Sequence, residues 1–151
     1  MSKWGFDKVL RNIEEMKRDL PKVLANDALR YFNDTFVKSE WDGVKWQTPQ
    51  RKIAGTKAYK YPKKGANARH TRATLVKSGR LRRDVRSSLK LATFDKIRFE
   101  VRLPYAAVHN YGLKMKNGRN MPTRKFMGQS KALSVLQKQK INLAIKKIWQ
   151  A

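Results

Sequence analysis

The spacing of apolar residues changes along this 151-residue chain, and the change constrains its fold class. Between residues 4 and 20, apolar side chains recur every three or four positions, which is typical of an amphipathic helix. Further helical repeats cover residues 23–36 and about 130–149. Between them, residues 97–103 alternate strictly between apolar and charged side chains, as in a strand with one buried face. Helices and strands that occur in separate runs predict an α+β fold.

Proline and turn residues refine this prediction. Pro21 separates the first two helical repeats, and proline removes a backbone donor, so we expect the N-terminal helices to break or kink there. Residues 84–91 also alternate, and we expect them to pair with residues 97–103 in a small antiparallel hairpin with one buried and one solvated cationic face. Asn-Gly at 117–118 predicts a second tight turn.

A chain of this length is expected to form one domain. The predicted organisation is a helical start (1–40), a flexible basic loop (47–73), a sheet-containing core (74–128) and a C-terminal helix (129–150). The loop is inferred because its residues show no apolar period and include two prolines and two glycines. Loops of this length are usually functional or ordered on binding. Trp46, Tyr59 and Tyr61 are its expected anchors.

The charge of the chain is large and uneven. Lys and Arg number 36 and Asp and Glu 11, a net charge of +25, yet residues 1–44 hold eight of each sign. Such a cationic body calls for an anionic partner or an assembly that neutralises it. The candidate contacts are Lys57, Lys60, Lys63, Lys64, Arg69, Arg72, Arg80, Arg82, Arg83 and Arg86. Two interpretations stay open: phosphate contacts, with Tyr59 and Tyr61 stacking on bases, or a basic face that is solvated or docks on acidic protein.

The sequence gives little support to an enzyme. It contains no cysteine, which excludes disulfides and cysteine-based zinc sites. His70 and His109 lie 39 residues apart, and few carboxylates follow residue 44. Nucleophile-elbow and glycine-rich phosphate-loop motifs are absent. We therefore expect no catalytic residues, no metal and no cofactor. No apolar run is long enough for a membrane span, so no membrane partner is expected either.

Four sequence stretches occur in a characteristic order. They are Trp46-Gln47-Thr48-Pro49, Leu75-Val76-Lys77-Ser78-Gly79-Arg80-Leu81, Tyr105-Ala106-Ala107-Val108-His109-Asn110-Tyr111-Gly112 and Met121-Pro122-Thr123-Arg124-Lys125-Phe126-Met127-Gly128. Together, over roughly residues 1–150, they resemble the signatures of the phage virion morphogenesis family, the tail-completion proteins of Mu-like and P2-like tailed phages. The motif positions are Gly79, Leu81, Tyr105, His109, Gly112, Pro122, Arg124 and Phe126. The basic loop at 47–73 matches no family motif.

The resemblance implies a structural protein of the phage neck. Such proteins finish the tail or join it to the head at the head–tail junction, usually as homo-oligomeric rings. Other neck and tail proteins would be its partners, with DNA as a further candidate. Its location would be the virion, and the host cytoplasm during assembly. The alternative is a stand-alone, non-enzymatic DNA-binding protein that uses the basic belt at 57–86.

The motif residues also have a purely physical interpretation. Gly79 and Gly112 are expected to supply backbone freedom beside short helices or turns. His109 is expected to be a structural histidine whose ring is hydrogen-bonded to a backbone carbonyl. We expect Phe126 to point into the core and Arg124 to point outward, as a subunit-contact or ion-pair residue.

Overall fold

The structure, a computed structural model, describes residues 3–61, 70–115 and 118–149. Its elements confirm the α+β class, with helix predominating. The helices are α1 (Lys3–Lys38), α2 (Lys57–Lys60), α3 (Arg80–Arg86), α4 (Ala106–Tyr111) and α5 (Lys131–Trp149). The strands are β1 (Glu40–Trp41), β2 (Val44–Lys45), β3 (Leu89–Ala92) and β4 (Ile97–Phe99), paired antiparallel as β1–β2 and β3–β4. The described residues thus hold two small sheets where the sequence predicted one.

The chain divides into two compact units, and each combines segments that are distant in sequence. The terminal unit contains the chain up to Tyr31, Ser88–Glu100 and the chain from Gln129 onward. The central unit contains Phe32–Ser87 and Val101–Gly128. All four motif stretches lie in the central unit.

A break or kink was predicted at Pro21; the break is wrong, because α1 is helical without interruption from Lys3 to Lys38, whereas the kink stays a prediction. Pro21 is buried, and Ala25 and Ala28 are buried four and seven positions later on the same helix face. Tertiary packing routinely overrides helix propensity. Burial of this face offsets the backbone hydrogen bond that proline removes.

The C-terminal helix is confirmed, and its first turn is capped. The side-chain oxygen of Ser130 accepts a hydrogen bond from the backbone N–H of Leu133 at 3.1 Å, which satisfies one of the unpaired donors of the first turn. Gln137 on α5 donates to the carbonyl of Leu24 on α1 at 3.4 Å. Within the terminal unit α5 buries Leu133 and Ile148.

The predicted hairpin is confirmed in its pairing but is shorter than expected. β3 and β4 are antiparallel, with Leu89 opposite Phe99 and Ala92 opposite Ile97. The register shifts between Leu89 and Leu91, so apolar residues do not all reach one face. Leu91 is exposed, and the two-faced hairpin of the prediction is only partly realised.

Residues 84–86 were predicted as strand but are helical, since they belong to α3. Leu81 and Val85 are four positions apart, and both are buried on one face of this helix. The alternation that begins at Asp84 was therefore a weaker signal than the helical spacing of these two residues.

The central unit is held together by an aromatic core. Phe36 packs against Trp46, with ring centroids 5.9 Å apart, and against Phe126 at 5.4 Å. Phe32 stacks on Trp41 at 6.2 Å. The indole N–H of Trp46 donates to a backbone carbonyl at 2.9 Å, so this buried side chain keeps no unsatisfied donor. The core joins the end of α1 to the chain around Phe126.

The segment predicted as a loop at 47–73 has local structure. A 3₁₀ turn covers Gln50–Lys52, and α2 follows, capped by the Thr56 hydroxyl, which accepts from the N–H of Tyr59. Among the predicted anchors Trp46 is buried, whereas Tyr61 is exposed and does not anchor the segment. Residues 62–69 lie outside the described residues, as do Lys116 and Asn117 of the predicted Asn-Gly turn.

Candidate functional site

An open cavity of about 460 Å³ lies in the central unit. Its walls come from the segment that leads into α3, from α4 and from the chain before Phe126. Five motif residues line it: Gly79, Leu81, Tyr105, His109 and Arg124. The second, third and fourth motif stretches therefore meet at one cavity, and the first contributes Pro49.

Arg124 is the most deeply buried cation of this cavity. Its side chain was predicted to point outward, but the residue is only 7% exposed. Nε and Nη2 both donate to the carbonyl of Gln47, at 3.3 and 3.1 Å, while Nη1 reaches the sulfur of Met121 at 3.9 Å. A thioether is a weak acceptor. The guanidinium thus binds the first motif stretch through the carbonyl of Gln47, and both of its acceptors, this carbonyl and the Met121 sulfur, are uncharged.

The burial of the Arg124 guanidinium without an adjacent carboxylate is energetically unfavourable. Desolvation lowers the pKa of the Arg124 guanidinium from its ordinary value. Buried charges in proteins are normally paired, because an unpaired one forfeits its hydration. In the described residues, the bonds of Arg124 go to a carbonyl and to sulfur, so its charge is not neutralised locally.

His109 lines the same cavity. Burial, and next the positive charge of Arg124, lower the pKa of its imidazole below the ordinary value of 6.5, so the ring is neutral at pH 7. Its ring packs edge-on against Tyr105, with centroids 6.2 Å apart. Nδ1 is buried and has no hydrogen-bond partner among the described residues, so the predicted carbonyl partner is not found for this atom. The backbone carbonyl of His109 instead accepts from the N–H of Arg124 at 2.8 Å.

The walls of the cavity are cationic. Arg51, Arg72, Lys77 and Arg80 line it together with Arg124, and none of its described lining residues is Asp or Glu. The Nε of Arg72 is buried with no hydrogen-bond partner among the described residues. Like charges around one cavity repel unless an anion enters between them. The site therefore favours a negatively charged occupant.

The segment that forms one wall has an unusual backbone. Leu75 has φ of +61°, in the left-handed region, where a bulky residue is an outlier. Gly79, the N-terminal cap of α3, has φ of +72° and shows the backbone freedom predicted for it. Backbone strain of this kind persists where the surroundings enforce it and is common at functional sites. The path of this wall is set by two left-handed residues.

Asn110 and Gly112 fix α4 against the chain at residues 121–127. The Asn110 side chain accepts from the backbone N–H groups of Phe126 and Met127 at 2.9 and 3.1 Å and donates to the carbonyl of Met127 at 3.0 Å. Gly112 ends α4 with φ of +69°, and a Cβ there would collide with the side chain of Thr123. The positive φ of Gly112 confirms the backbone freedom predicted for it. The close approach of Thr123 is a second reason for glycine at this position, and it was not predicted.

The residues of the predicted basic belt lie in different environments and do not form one continuous surface among the described residues. Arg72 and Arg80 line the cavity, whereas Arg83 and Arg86 on α3 donate to the carbonyl of Ser78 and to the Asn33 side chain, both at 3.1 Å. Arg82 is half-buried, and its Nε has no hydrogen-bond partner in the described part of the chain. Lys57 and Lys60 lie on α2 and are exposed. Lys63, Lys64 and Arg69 lie outside the described residues.

Sequence reasoning assigned no role to three residues that matter here. Asn110 stood unassigned inside the third motif stretch, where an asparagine just before a helix-ending glycine was the available signal. Arg51 and Lys77 lay in segments without periodicity, and nothing in the sequence separated them from the other cations. Pro122, a motif residue, is half-buried and follows the bridge between Lys114 and Asn120.

Comparisons of this chain with protein-family models, curated proteins and solved structures found no match. Among the described residues, no group of three His, Asp or Glu side chains is placed to hold a metal ion. No helix in the described ranges is both long and apolar enough to cross a membrane.

Proposed function

We propose that this protein is a non-enzymatic structural component of a tailed-phage neck. In this proposal it is a tail-completion protein that assembles as a homo-oligomeric ring at the head–tail junction and contacts other neck and tail proteins. It acts in the virion and assembles in the host cytoplasm. The proposal uses no catalytic residue, metal or cofactor.

The observation that carries this proposal is the exposed apolar surface of α5. Val135 and Leu143 are 57% and 58% exposed, and Leu136, Ile145 and Trp149 on the same helix are exposed as well. The predicted apolar stripe of α5 is therefore only partly used inside the chain. Apolar surface removed from water contributes roughly 25 cal/mol per Å², so exposed apolar side chains of this kind favour burial against another protein. A second copy of the chain would cover this surface.

The arrangement of the motif stretches supports the family assignment within this proposal. Two hydrogen bonds join the first stretch to the fourth: the Trp46 indole donates to the carbonyl of Lys125, and the Arg124 guanidinium donates to the carbonyl of Gln47. The backbone N–H of Arg124 donates to the carbonyl of His109, which joins the third stretch to the fourth. The second stretch shares their cavity. Stretches identified by their residue patterns and their order in the sequence thus form one framework in the central unit, which is what family signatures that specify a fold should do.

We expect the double variant Val135→Ser, Leu143→Ser to weaken self-assembly about tenfold or more in the protein concentration at half-assembly, because each substitution removes apolar area from the proposed contact. Light scattering after size-exclusion chromatography measures this. Since each copy carries +25, assembly of the parent protein should increase with ionic strength, which screens the repulsion. The unfolding midpoint of the double variant should stay close to that of the parent protein, because the side chains of Val135 and Leu143 are exposed.

Val44→Ser is the matched control, since Val44 is exposed on β2 in the central unit. It should leave assembly unchanged. A protein that stays monomeric at every salt and protein concentration, with and without duplex DNA, would contradict the proposal. Rings seen by electron microscopy would support it.

The alternative, a stand-alone DNA-binding protein, is favoured by one feature. α2 presents Lys57 and Lys60, and the exposed ring of Tyr61 follows them directly. Exposed cations beside an aromatic ring suit phosphate contact and base stacking. Sequence-specific binding of duplex DNA by the monomer would favour this alternative over the neck protein, whereas weak binding that ignores sequence fits both.

A further inference from the structure

The cavity of the central unit combines a cationic lining with apolar walls. Arg51, Arg72, Lys77, Arg80 and Arg124 supply the positive charge, while Leu75, Val76 and Met121 are among its apolar lining residues. An occupant that satisfies both needs an anionic group and an apolar stem. A bare inorganic ion would meet only the first requirement.

The deepest cation has donor capacity left for such an occupant. Among the described residues, Nη1 of Arg124 contacts only the weak acceptor Met121 Sδ, and a guanidinium can hold a carboxylate or phosphate with two parallel hydrogen bonds. The Nε of Arg72 and the Nδ1 of His109 are buried without hydrogen-bond partners in the described structure. Three polar groups at one cavity thus lack an adequate partner.

The depth of Arg124 discriminates between the two common sources of an anionic group, a carboxylate side chain and a DNA phosphate. Arg124 is 7% exposed, so a slender side chain can reach it, whereas the phosphates of duplex DNA contact cations that stand on a surface. The apolar walls match the methylene stem of an acidic side chain and its neighbours in a peptide. Chemical complementarity therefore favours a carboxylate over a DNA phosphate.

We propose that this cavity is a receptor for a carboxylate side chain on an acidic peptide segment of a partner protein. Arg124 binds the carboxylate from within, and Lys77 and Arg80 attract it at the rim, where both residues are more exposed. The inference deepens the proposed neck function and rests on it for the identity of the partner. The binding itself is a property of a single copy and does not require a ring.

The test uses fluorescein-labelled hexaglutamate as the probe and hexaglutamine as the neutral control, with binding to the dilute full chain measured by anisotropy. The double variant Lys77→Gln, Arg80→Gln should weaken hexaglutamate binding about tenfold, because it removes two cations from the site. Lys90→Gln, Lys96→Gln removes the same charge from exposed positions on the β3–β4 hairpin and should change binding less than about twofold. Equal losses in the two double variants would reduce the effect to general attraction by the net charge and would overturn the proposal.

His109 gives a second, site-specific readout in the unmodified protein. It lines the cavity together with Arg124 and the other cavity cations, and its ring packs against Tyr105. A bound carboxylate opposes the positive charge that lowers the pKa of His109 and should raise that pKa, as measured by NMR of the ring. A pKa of His109 that stays unchanged at saturating hexaglutamate would overturn the proposal.

Competition distinguishes carboxylate from phosphate. A short duplex DNA that displaces hexaglutamate, and whose own affinity falls about tenfold in Lys77→Gln, Arg80→Gln, would show that the cavity takes phosphate and would overturn the carboxylate assignment. Failure of the neck proposal looks different. A chain that never assembles can still bind hexaglutamate at this cavity, and an assembling chain can fail to bind it.

Discussion

Replacing Phe126 by alanine is expected to lower the free energy of unfolding by about 3–5 kcal/mol, the range for removing a buried aromatic side chain. Phe126 is only 1% exposed and packs on Phe36, at the centre of the aromatic core. The substitution leaves a cavity that the rings of the core cannot fill without moving. Urea denaturation followed by tryptophan fluorescence measures the change, since Trp46 belongs to the same core.

Phe94→Ala is the matched control for this prediction. Phe94 is half-exposed in the β3–β4 connection, and its contact is with the Lys17 ammonium, 5.7 Å from the ring centroid. Its replacement should cost less than about 1 kcal/mol. Similar losses at the two positions would mean that the aromatic core does not hold the central unit together.

Asn110→Ala is expected to cost a similar amount, about 3–5 kcal/mol, for a different reason. The substitution leaves the N–H groups of Phe126 and Met127 and the carbonyl of Met127 without their side-chain partner. Each buried polar group left unsatisfied costs about 1–3 kcal/mol, and partial access of water reduces the sum. Chemical denaturation gives the magnitude, and hydrogen exchange of the two amides locates it.

Asn110→Asp separates the acceptor from the donor. A carboxylate still accepts from the two N–H groups but cannot donate to the carbonyl of Met127, and it buries a charge. The loss of stability in Asn110→Asp should therefore be smaller at acidic pH, where the protonated carboxyl can donate, than at neutral pH. Asn26→Ala, at an exposed position of α1, should change stability by no more than about 0.5 kcal/mol. If Asn110→Ala were equally harmless, the Asn110 hydrogen bonds would not stabilise the site.

The periodic parts of the fold could be predicted from the sequence. α5 and the β3–β4 hairpin follow apolar spacing, which reports local geometry directly. The break expected at Pro21 is absent, because burial of this helix face depends on tertiary packing, which a local rule on proline does not include. Residues 84–86 were misjudged because a stretch of three or four residues satisfies a strand and a helical period equally well, and only the burial of Leu81 and Val85 decides between them.

The cavity could be predicted only in part. The motif stretches named Gly79, His109 and Arg124, but the convergence of these stretches depends on contacts between residues far apart in sequence, such as that between Arg124 and Gln47, which are 77 positions apart. No periodicity encodes such a contact. Arg124 was expected at the surface because arginine is rarely buried, and its burial depends on the carbonyl that receives its two N–H groups.

Each of the three consecutive residues 124–126 attaches to the central unit through a different kind of contact. Arg124 donates to Gln47, Lys125 accepts from Trp46 through its carbonyl and places its ammonium 4.9 Å from the ring centroid of Trp41, and Phe126 fills the aromatic core. Adding or deleting one residue here would shift all three partners at once, whereas a substitution disturbs one of them. The length of this segment is therefore constrained in addition to its side chains, so an insertion or deletion here should destabilise the central unit more than any one substitution does.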